Sequence, residues 1–367
     1  MEKKKRIPKY LILGALAAAN VLAGIGMLLC AYSVYFPPQV YPKMAELGLA
    51  FPAFLLVCIL FLVFWLFAKR LYMLISAGFL LACIGTIRTY CPLNVPFPVP
   101  DNAVKVMSYN LWNIPGINVE TDDEAEWAAH PILNYLTAAQ ADIVCCQEAL
   151  RMDYPAIDTL LARTYPYRQY NWVRNSLMAC LSKWPILSVD TIDYASCSNV
   201  SLAYRIRVNA DTLLVVNNHF ESYHLNDSDK YEYKELIKNP EDVHVRGSVK
   251  GLRRKIVRAA VMRAPQADSV ARYLETAPEK YIIACGDFND PSVSYVHYRL
   301  TRFLNDAYTR SGNGPGISYH RSGMYFRIDN ILCSPNIKAH KSVVDTSISM
   351  SDHYPICAWL TLGRQDR

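Results

Sequence analysis

The sequence predicts a mixed α/β domain carried behind about three apolar, membrane-spanning helices. Three observations lead there. Charge-free apolar runs are confined to the first quarter of the chain, a proline-rich spacer follows them, and from residue 103 short β-rich runs alternate with helical stretches.

The apolar runs are YLILGALAAANVLAGIGMLLCAYSVYF (residues 10–36), LGLAFPAFLLVCILFLVFWLFA (47–68) and LYMLISAGFLLACIGTI (71–87), the last extending to about residue 90. Each is about long enough to cross a hydrocarbon layer of roughly 30 Å. The first exceeds the ~7–15 residues of a cleaved leader's core, and cleavage would still leave two spans. Lys and Arg near span ends are retained on the cytoplasmic side. Lys3, Lys4, Lys5, Arg6 and Lys9 precede the first run, Lys69 and Arg70 fill the second turn, and the loop PPQVYPKMAE between them holds only Lys43. A cytoplasmic start and an external or periplasmic end satisfy this pattern, with Arg88 the one dissenting cation. The expected location is an inner or plasma membrane, with the later residues outside.

The formal net charge of +6 needs dividing: residues 1–100 hold nine Lys/Arg against two Asp/Glu, which leaves 29 against 30 in residues 101–367. Nonspecific nucleic-acid binding depends on cation–phosphate contacts, so a near-neutral domain is a poor candidate for coating DNA. Arg246, Lys250, Arg253, Arg254, Lys255 and Arg258 form the one basic cluster, and a solvated helix face accounts for it. The eleven cysteines include no C-x-x-C pair, which argues against a zinc knuckle. Cys145, Cys146, Cys285 and Cys333 lie in apolar runs and read as small buried thiols. Their scatter fits a reducing compartment, against the charge pattern, which carries more weight here.

The spacer CPLNVPFPVPDN (91–102) carries four prolines and should be extended. After it, AVKVMSYNLW, ADIVCCQEA, LMACLS, TLLVVNNHF, KYIIACGDF, RIDNILCS and ICAWLTL read as strands. WAAHPILNYLTAAQ and VRAAVMRAPQADSVARYLETA read as helices, the second interrupted near Pro265. The polar stretch from Glu221 to Lys255 reads as a surface insertion or lid.

Several strands end in the same kind of polar group. SYNLWN supplies Asn110, VCCQEA Glu148, NNHFES His219, CGDFND Asp287 and Asn289, RIDNIL Asp329, and SDHYPI Asp352 and His353. One such ending is unremarkable, but six suggest a single site. Hard oxygen ligands from Glu148, Asp352 and Asn110 suit Mg²⁺ or Mn²⁺, which neutralises phosphate charge. Histidine titrates near neutrality and can activate water, with a carboxylate to fix its tautomer. Asp287 and Asn289, two apart on an extended segment, should face the same side and both reach a phosphate.

From about Val104 to Leu362 the chain resembles the endonuclease/exonuclease/phosphatase superfamily, which includes deoxyribonucleases, abasic-site endonucleases, inositol polyphosphate 5-phosphatases and neutral sphingomyelinases. GDFND followed by SDHYPI, with the other motifs in family order, carries the likeness. The resemblance implies a four-layer α/β/β/α sandwich over residues 103–367, with the transmembrane region (1–90) and linker (91–102) outside it. It further implies Glu148 as main metal ligand with Asn110 and Asp352 nearby, and His353 as general base oriented by Asp329. Asp287 and Asn289 would contact the phosphate and the attacking or leaving oxygen, and His219 would protonate the leaving group or stabilise the transition state. Lys183 and Trp184 in SKWPI, and Asn330 after Asp329, depart from the usual pattern. The histidines at 130, 224, 244, 297, 320 and 340 read as surface or core residues, and Trp112 and Tyr109 as core aromatics rather than substrate platforms.

The expected activity is thus a membrane-anchored, metal-dependent phosphoesterase on a phosphodiester, such as a lipid head group or a nucleotide. The alternatives are a nuclease, which needs a basic groove, and a binding module that has lost catalysis, which the full set of competent residues disfavours.

Overall fold

The computed structural model describes residues 9–116, 127–196, 198–238 and 243–363. Lys3 to Arg6 lie outside the described residues, as do Cys197 and the side chains of His244 and Arg246.

Two N-terminal helices, α1 (Lys9–Tyr32) and α2 (Leu47–Ala68), are long and apolar enough to cross a membrane. The expected third span is a bent pair, α3 (Met73–Ala82) and α4 (Ile84–Tyr90), turned by 66°. The break falls at Cys83, whose backbone leaves the helical range at φ −100° and ψ 10°. The bundle packs through Ala23, Met27, Phe51, Leu55 and Cys83, while Leu22, Leu29, Leu56, Leu60, Phe67 and Leu81 point outward and exposed. Within it Ser76 Oγ donates to Asn20 Oδ1 at 2.9 Å, joining two buried polar side chains across the helices. The spacer from residue 91 to 100 holds no helix or strand, and it is pinned: Asn94 Nδ2 donates to Gly312 O at 2.7 Å and Gly314 N to Pro92 O.

The remaining chain forms two six-stranded sheets. The first runs β11 (Ile337–Val344), β12 (Ile356–Leu362), β1 (Val104–Asn110), β2 (Ile143–Gln147), β4 (Ser176–Ser182), β3 (Tyr167–Val173). The second runs β5 (Ile186–Ile192), β6 (Val200–Val208), β7 (Asp211–His219), β8 (Tyr281–Asp287), β10 (Asp329–Cys333), β9 (Asn305–Asp306). Alternation sorts the side chains. Val104, Val106, Ile143 and Cys145 face Tyr204, Val215, Ile283 and Cys285 between the sheets, while Met107, Tyr109, Val144 and Cys146 face outward.

Helices α5 (Pro131–Ala138) and α6 (Pro155–Ala162) cover the first outer face. The second is covered by α8 (Val243–Thr276), which follows α7 (Asp227–Lys238), and by α9 (Tyr295–Thr301); the short α10 (Ala307–Ser311) closes an end. Central strands are buried on both faces, which is why they read as continuous apolar runs. The architecture is the predicted α/β/β/α sandwich.

Pro265 does not interrupt α8 as expected. An interior proline costs about 3 kcal/mol, but its neighbours are anchored: Arg263 Nη1 donates to Glu221 O and Gln266 Oε1 accepts from Glu221 N, both at 2.9 Å. The polar segment after Glu221 is correspondingly two helices, α7 and α8.

Gly286 sits at φ +130°, and an added Cβ would lie 2.0 Å from Asn218 O on the adjacent strand. Gly286→Ala should therefore lower stability by about 2 kcal/mol or more. Gly251→Ala on exposed helix α8, where a Cβ meets nothing within 4 Å, should leave it unchanged or raised. Denaturant unfolding of the two variants checks this.

Candidate active site

Strand register brings the motif residues together. The parallel pairing of β7 with β8 sets His219 beside Asp287, and the antiparallel pairing of β8 with β10 sets Asp287 opposite Asp329. Three chemically active groups thus form one row across adjacent strands, whose spacing is about 4.8 Å. In the other sheet β1 and β2 run parallel and end together at Asn110 and Gln147, with Glu148 next. Strand β12 lies antiparallel to β1, so the residues entering it, Asp352 and His353, pass the same end.

Ser351 fastens that entry. Its hydroxyl donates to Asn110 O at 2.7 Å and accepts from His353 N at 3.1 Å. This is the reason for a serine ahead of the Asp-His pair. Ser318 Oγ accepts from Asp329 N at 3.0 Å and does the same for β10. Between the sheets, Gln147 Nε2 donates to Asn217 Oδ1 at 2.6 Å, and Asn217 Nδ2 to Cys146 O at 3.0 Å. Sequence reasoning missed Ser351, Ser318, Gln147 and Asn217, although Ser351, Gln147 and Asn217 stand inside motifs already singled out.

All eight expected site residues meet at this edge. Asp329 Oδ2 and His353 Nδ1 lie 2.7 Å apart, which fixes the ring and aims Nε2 toward Asp287 Oδ2 at 3.7 Å. His219 Nε2 lies 3.5 Å from Glu148 Oε1 and 3.9 Å from Asp287 Oδ2. Asn110 Nδ2 donates to Glu148 Oε1 at 3.2 Å and to Asp287 Oδ2 at 3.0 Å, while its Oδ1 accepts from Trp112 N. It spaces two carboxylates. Asn289 reaches Asp287 by a different route from the extended one expected: at φ +50° the chain turns, so that its N–H donates to Asp287 Oδ1 at 2.7 Å. Its side-chain amide bonds Phe220 O and Asp287 Oδ2.

A cavity of about 180 Å³ opens over this edge, lined by Glu148, Asp287, Asn289, Asp352 and His353 among others. His224 is the surface histidine expected, hydrogen-bonded to Glu221 at 2.6 Å, and it lines the cavity beside Lys230. One residue nearby corrects the sequence reading. Trp112 is not core but 43% exposed, at φ +47°, with Arg321 over its ring. Tyr109 is core.

Burial raises Glu148 above the usual carboxylate range and pushes Asp287 up to about 6. Burial alone would lower His353, but the Asp329 and Asp287 carboxylates outweigh it and hold the imidazole up at about 10. His219 is lowered by burial. Among the described residues, no Lys or Arg pairs with Glu148, Asp287, Asp329 or Asp352. Both ring nitrogens of His219 and Oδ1 of Asp329 are buried without a hydrogen-bond partner. Donor atoms of Asp287, Asp329 and His353 lie within 4.8 Å of one another. An anionic, oxygen-rich pocket with unsatisfied buried atoms fits a hard divalent cation and a phosphate.

Residues 107–353 match the model of the Endonuclease/Exonuclease/phosphatase family. The chain belongs to this family. Residues 11–90 match a second model, described as a domain of unknown function. Among solved structures, D. rerio TDP2 complexed with single strand DNA product is 17% identical, over 71% of this chain and 100% of that one, with a TM-score of 0.50. The endonuclease/exonuclease/phosphatase from Beutenbergia cavernae DSM 12333 is 15% identical over 71% and 72%, TM-score 0.49. That from Bacteroides vulgatus is 16% identical over 71% and 99%, TM-score 0.46. At such identities the likeness concerns the fold. No curated protein matches this chain.

The two departures from the family pattern leave the cavity intact. Lys183 is paired with Asp142 at 3.1 Å, and Asn330 is buried with its amide on Ile328 O.

Asp329→Asn removes the anion that most favours the His353 imidazolium, so the His353 pKa should fall from about 10 by at least about one unit. Histidine NMR titration of the metal-free protein checks both the sign and the partner.

Proposed function

We propose that this chain is a membrane-anchored, divalent-cation-dependent phosphodiesterase whose catalytic domain faces the external or periplasmic side. The observation that carries the reading is the convergence of four carboxylates and two histidines, without Lys or Arg partners among the described residues, on one sheet edge, where Glu148, Asp287, Asp352 and His353 line a cavity.

Glu148 and Asp352, with Asn110 beside them, would hold Mg²⁺ or Mn²⁺. The cation supplies charge neutralisation, both of the phosphate oxygens and of the carboxylate field that otherwise keeps His353 protonated. His353 takes the proton of the attacking water at Nε2 while Asp329 holds the other ring nitrogen. Asp287 and Asn289, locked to each other and to Phe220 O, position the phosphate. His219, with no competing hydrogen bond, would give a proton to the leaving oxygen.

The pocket wall favours a modest substrate with an apolar portion. Leu225, Pro291, Met324, Phe326 and Ile328 line it, with Lys230 and His224 as basic neighbours. A lipid head group or a nucleotide-type diester fits this chemistry better than duplex DNA. Arg253 is paired with Glu46 and Lys255 with Asp229, so the basic cluster is partly neutralised, and among the described residues none of it lines the cavity. The anchoring orientation draws support from the packing: the catalytic domain meets the residues after α1, the start of α2 and the end of α4. Lys9, Lys69 and Arg70 stand at the opposite ends of those helices.

The full chain in detergent should hydrolyse bis-p-nitrophenyl phosphate with Mg²⁺, lose activity in EDTA and regain it when Mg²⁺ is restored. Glu148→Gln and His353→Ala should each lower turnover about a hundredfold or more; near-normal rates would sink the assignment. A C-terminal reporter should signal only when exported, and cytoplasmic signal would reverse the orientation.

A further inference from the structure

The loop leaving the active site passes through the apolar-helix bundle before α9 returns the chain to the second sheet. Pro291 lines the cavity, and two residues later Val293 is buried among Ala23, Met27, Phe51, Leu55 and Cys83 of the membrane-helix bundle. Two residues span at most about 7 Å. The wall of the active site and the plug of the bundle are therefore one short loop. Gly48, in the first turn of α2, accepts this loop so closely that a Cβ there would lie 2.1 Å from Val293 O. Just before Pro291, Asp290 is held by the fully buried Arg263 at 2.9 Å.

A second motif strand is tied in the same way. Arg327, two residues before Asp329, donates from Nη2 to Thr89 O at 2.5 Å, in the last turn of α4. A helix C-terminus carries partial negative charge and favours a cation there. The same guanidinium donates to Asp306 Oδ2 at 2.9 Å, which fastens it to the second sheet. Both strands that bring carboxylates to the centre of the site, β8 and β10, are thus attached to the membrane helices within a few residues.

We infer that the membrane-helix bundle is a positioning part of the active site. Gly48 and Val293 set the loop from Asp287 to Pro291, and Arg327 on Thr89 sets Asp329. None of the three touches the cavity, so they act through the groups they hold. Movement of α2 or α4, as a change of bilayer would impose, displaces the phosphate-contacting loop and alters turnover. The inference rests on reading Asp287 and Asp329 as working groups.

The test uses the full chain in phospholipid nanodiscs with two readouts. One is kcat and KM for bis-p-nitrophenyl phosphate with Mg²⁺; the other is amide hydrogen exchange over residues 286–294. Gly48→Ala should lower kcat about tenfold or more, since small misplacements are costly, with KM less affected and exchange in this loop faster. Gly78→Ala in α3, where a Cβ meets nothing within 4 Å, should change neither readout. Val293→Ala, which keeps the backbone contact and removes the plug, should move both in the same direction by less; it decides the matter if Gly48→Ala does not assemble. Unchanged kcat and exchange in the folded joint variants overturn the inference, and so does an equal loss in Gly78→Ala. Asp287→Asn is measured alongside: if it stays active the functional reading falls, whereas the exchange data still judge the joint.

Discussion

Four carboxylates crowd the edge where the two sheets meet, and the unbalanced negative charge they create constrains everything around them. Each would gain from a cationic partner, and among the described residues none has a Lys or Arg. The protein spends its neutral hydrogen-bonding groups instead. Asn110 separates Glu148 from Asp287, the Asn289 backbone caps Asp287, and Asp329 shares its charge with His353. Such an arrangement is expensive to bury unless a cation completes it. The anionic pocket is better understood as the protein half of a site than as a set of ion pairs.

Backbone strain collects at the same place. Trp112, Asn113 and Ile114 follow β1 with φ between +47° and +56°, Glu148 follows β2 at +46°, and Asn289 follows β8 at +50°. Left-handed conformations are unfavourable for side chains other than glycine, and they persist where surrounding structure over-determines them. Here the parallel pairings supply that determination. They stop β1 and β2 level with each other, and the chain must turn sharply for Glu148 to remain over the edge. Buried polar contacts such as Gln147 to Asn217 join the two sheets beneath, so the edges cannot slide apart without leaving amides unpaired.

The catalytic domain and the apolar helices are also less separable than a spacer between them suggests. Asn94 pegs the spacer to the turn after α10, the Tyr35 ring packs edge-on against Tyr298 at 4.7 Å, and Arg253 reaches Glu46 from α8. These contacts bring the face of the domain that meets the apolar helices next to the loop that carries Asp287 and Asn289.

Much of this protein was legible in the chain itself. The charge-free runs, the seven buried strands and the eight site residues are local features, because burial on both faces forces a continuous apolar strand and chemistry demands particular side chains at its end. The strands that escaped notice include β3, β5, β9 and β11, all at sheet edges, where half-exposed residues such as those of Tyr167–Val173 carry no continuous apolar signal. Pro265 misled because the anchors that keep α8 straight, Arg263 and Gln266 on Glu221, lie more than forty residues away in sequence. Asn289 misled because its turn is set by Asp287 accepting its N–H rather than by strand alternation. The sequence by itself determined which acidic, amide and imidazole groups stand at or next to the strand ends. Only the tertiary structure decided that those ends share one edge, that Asn110 parts the acids and that Val293 ties the site to the helices. Those relations depend on register between segments far apart in the chain, and hydrophobic periodicity within one segment carries no record of its partner.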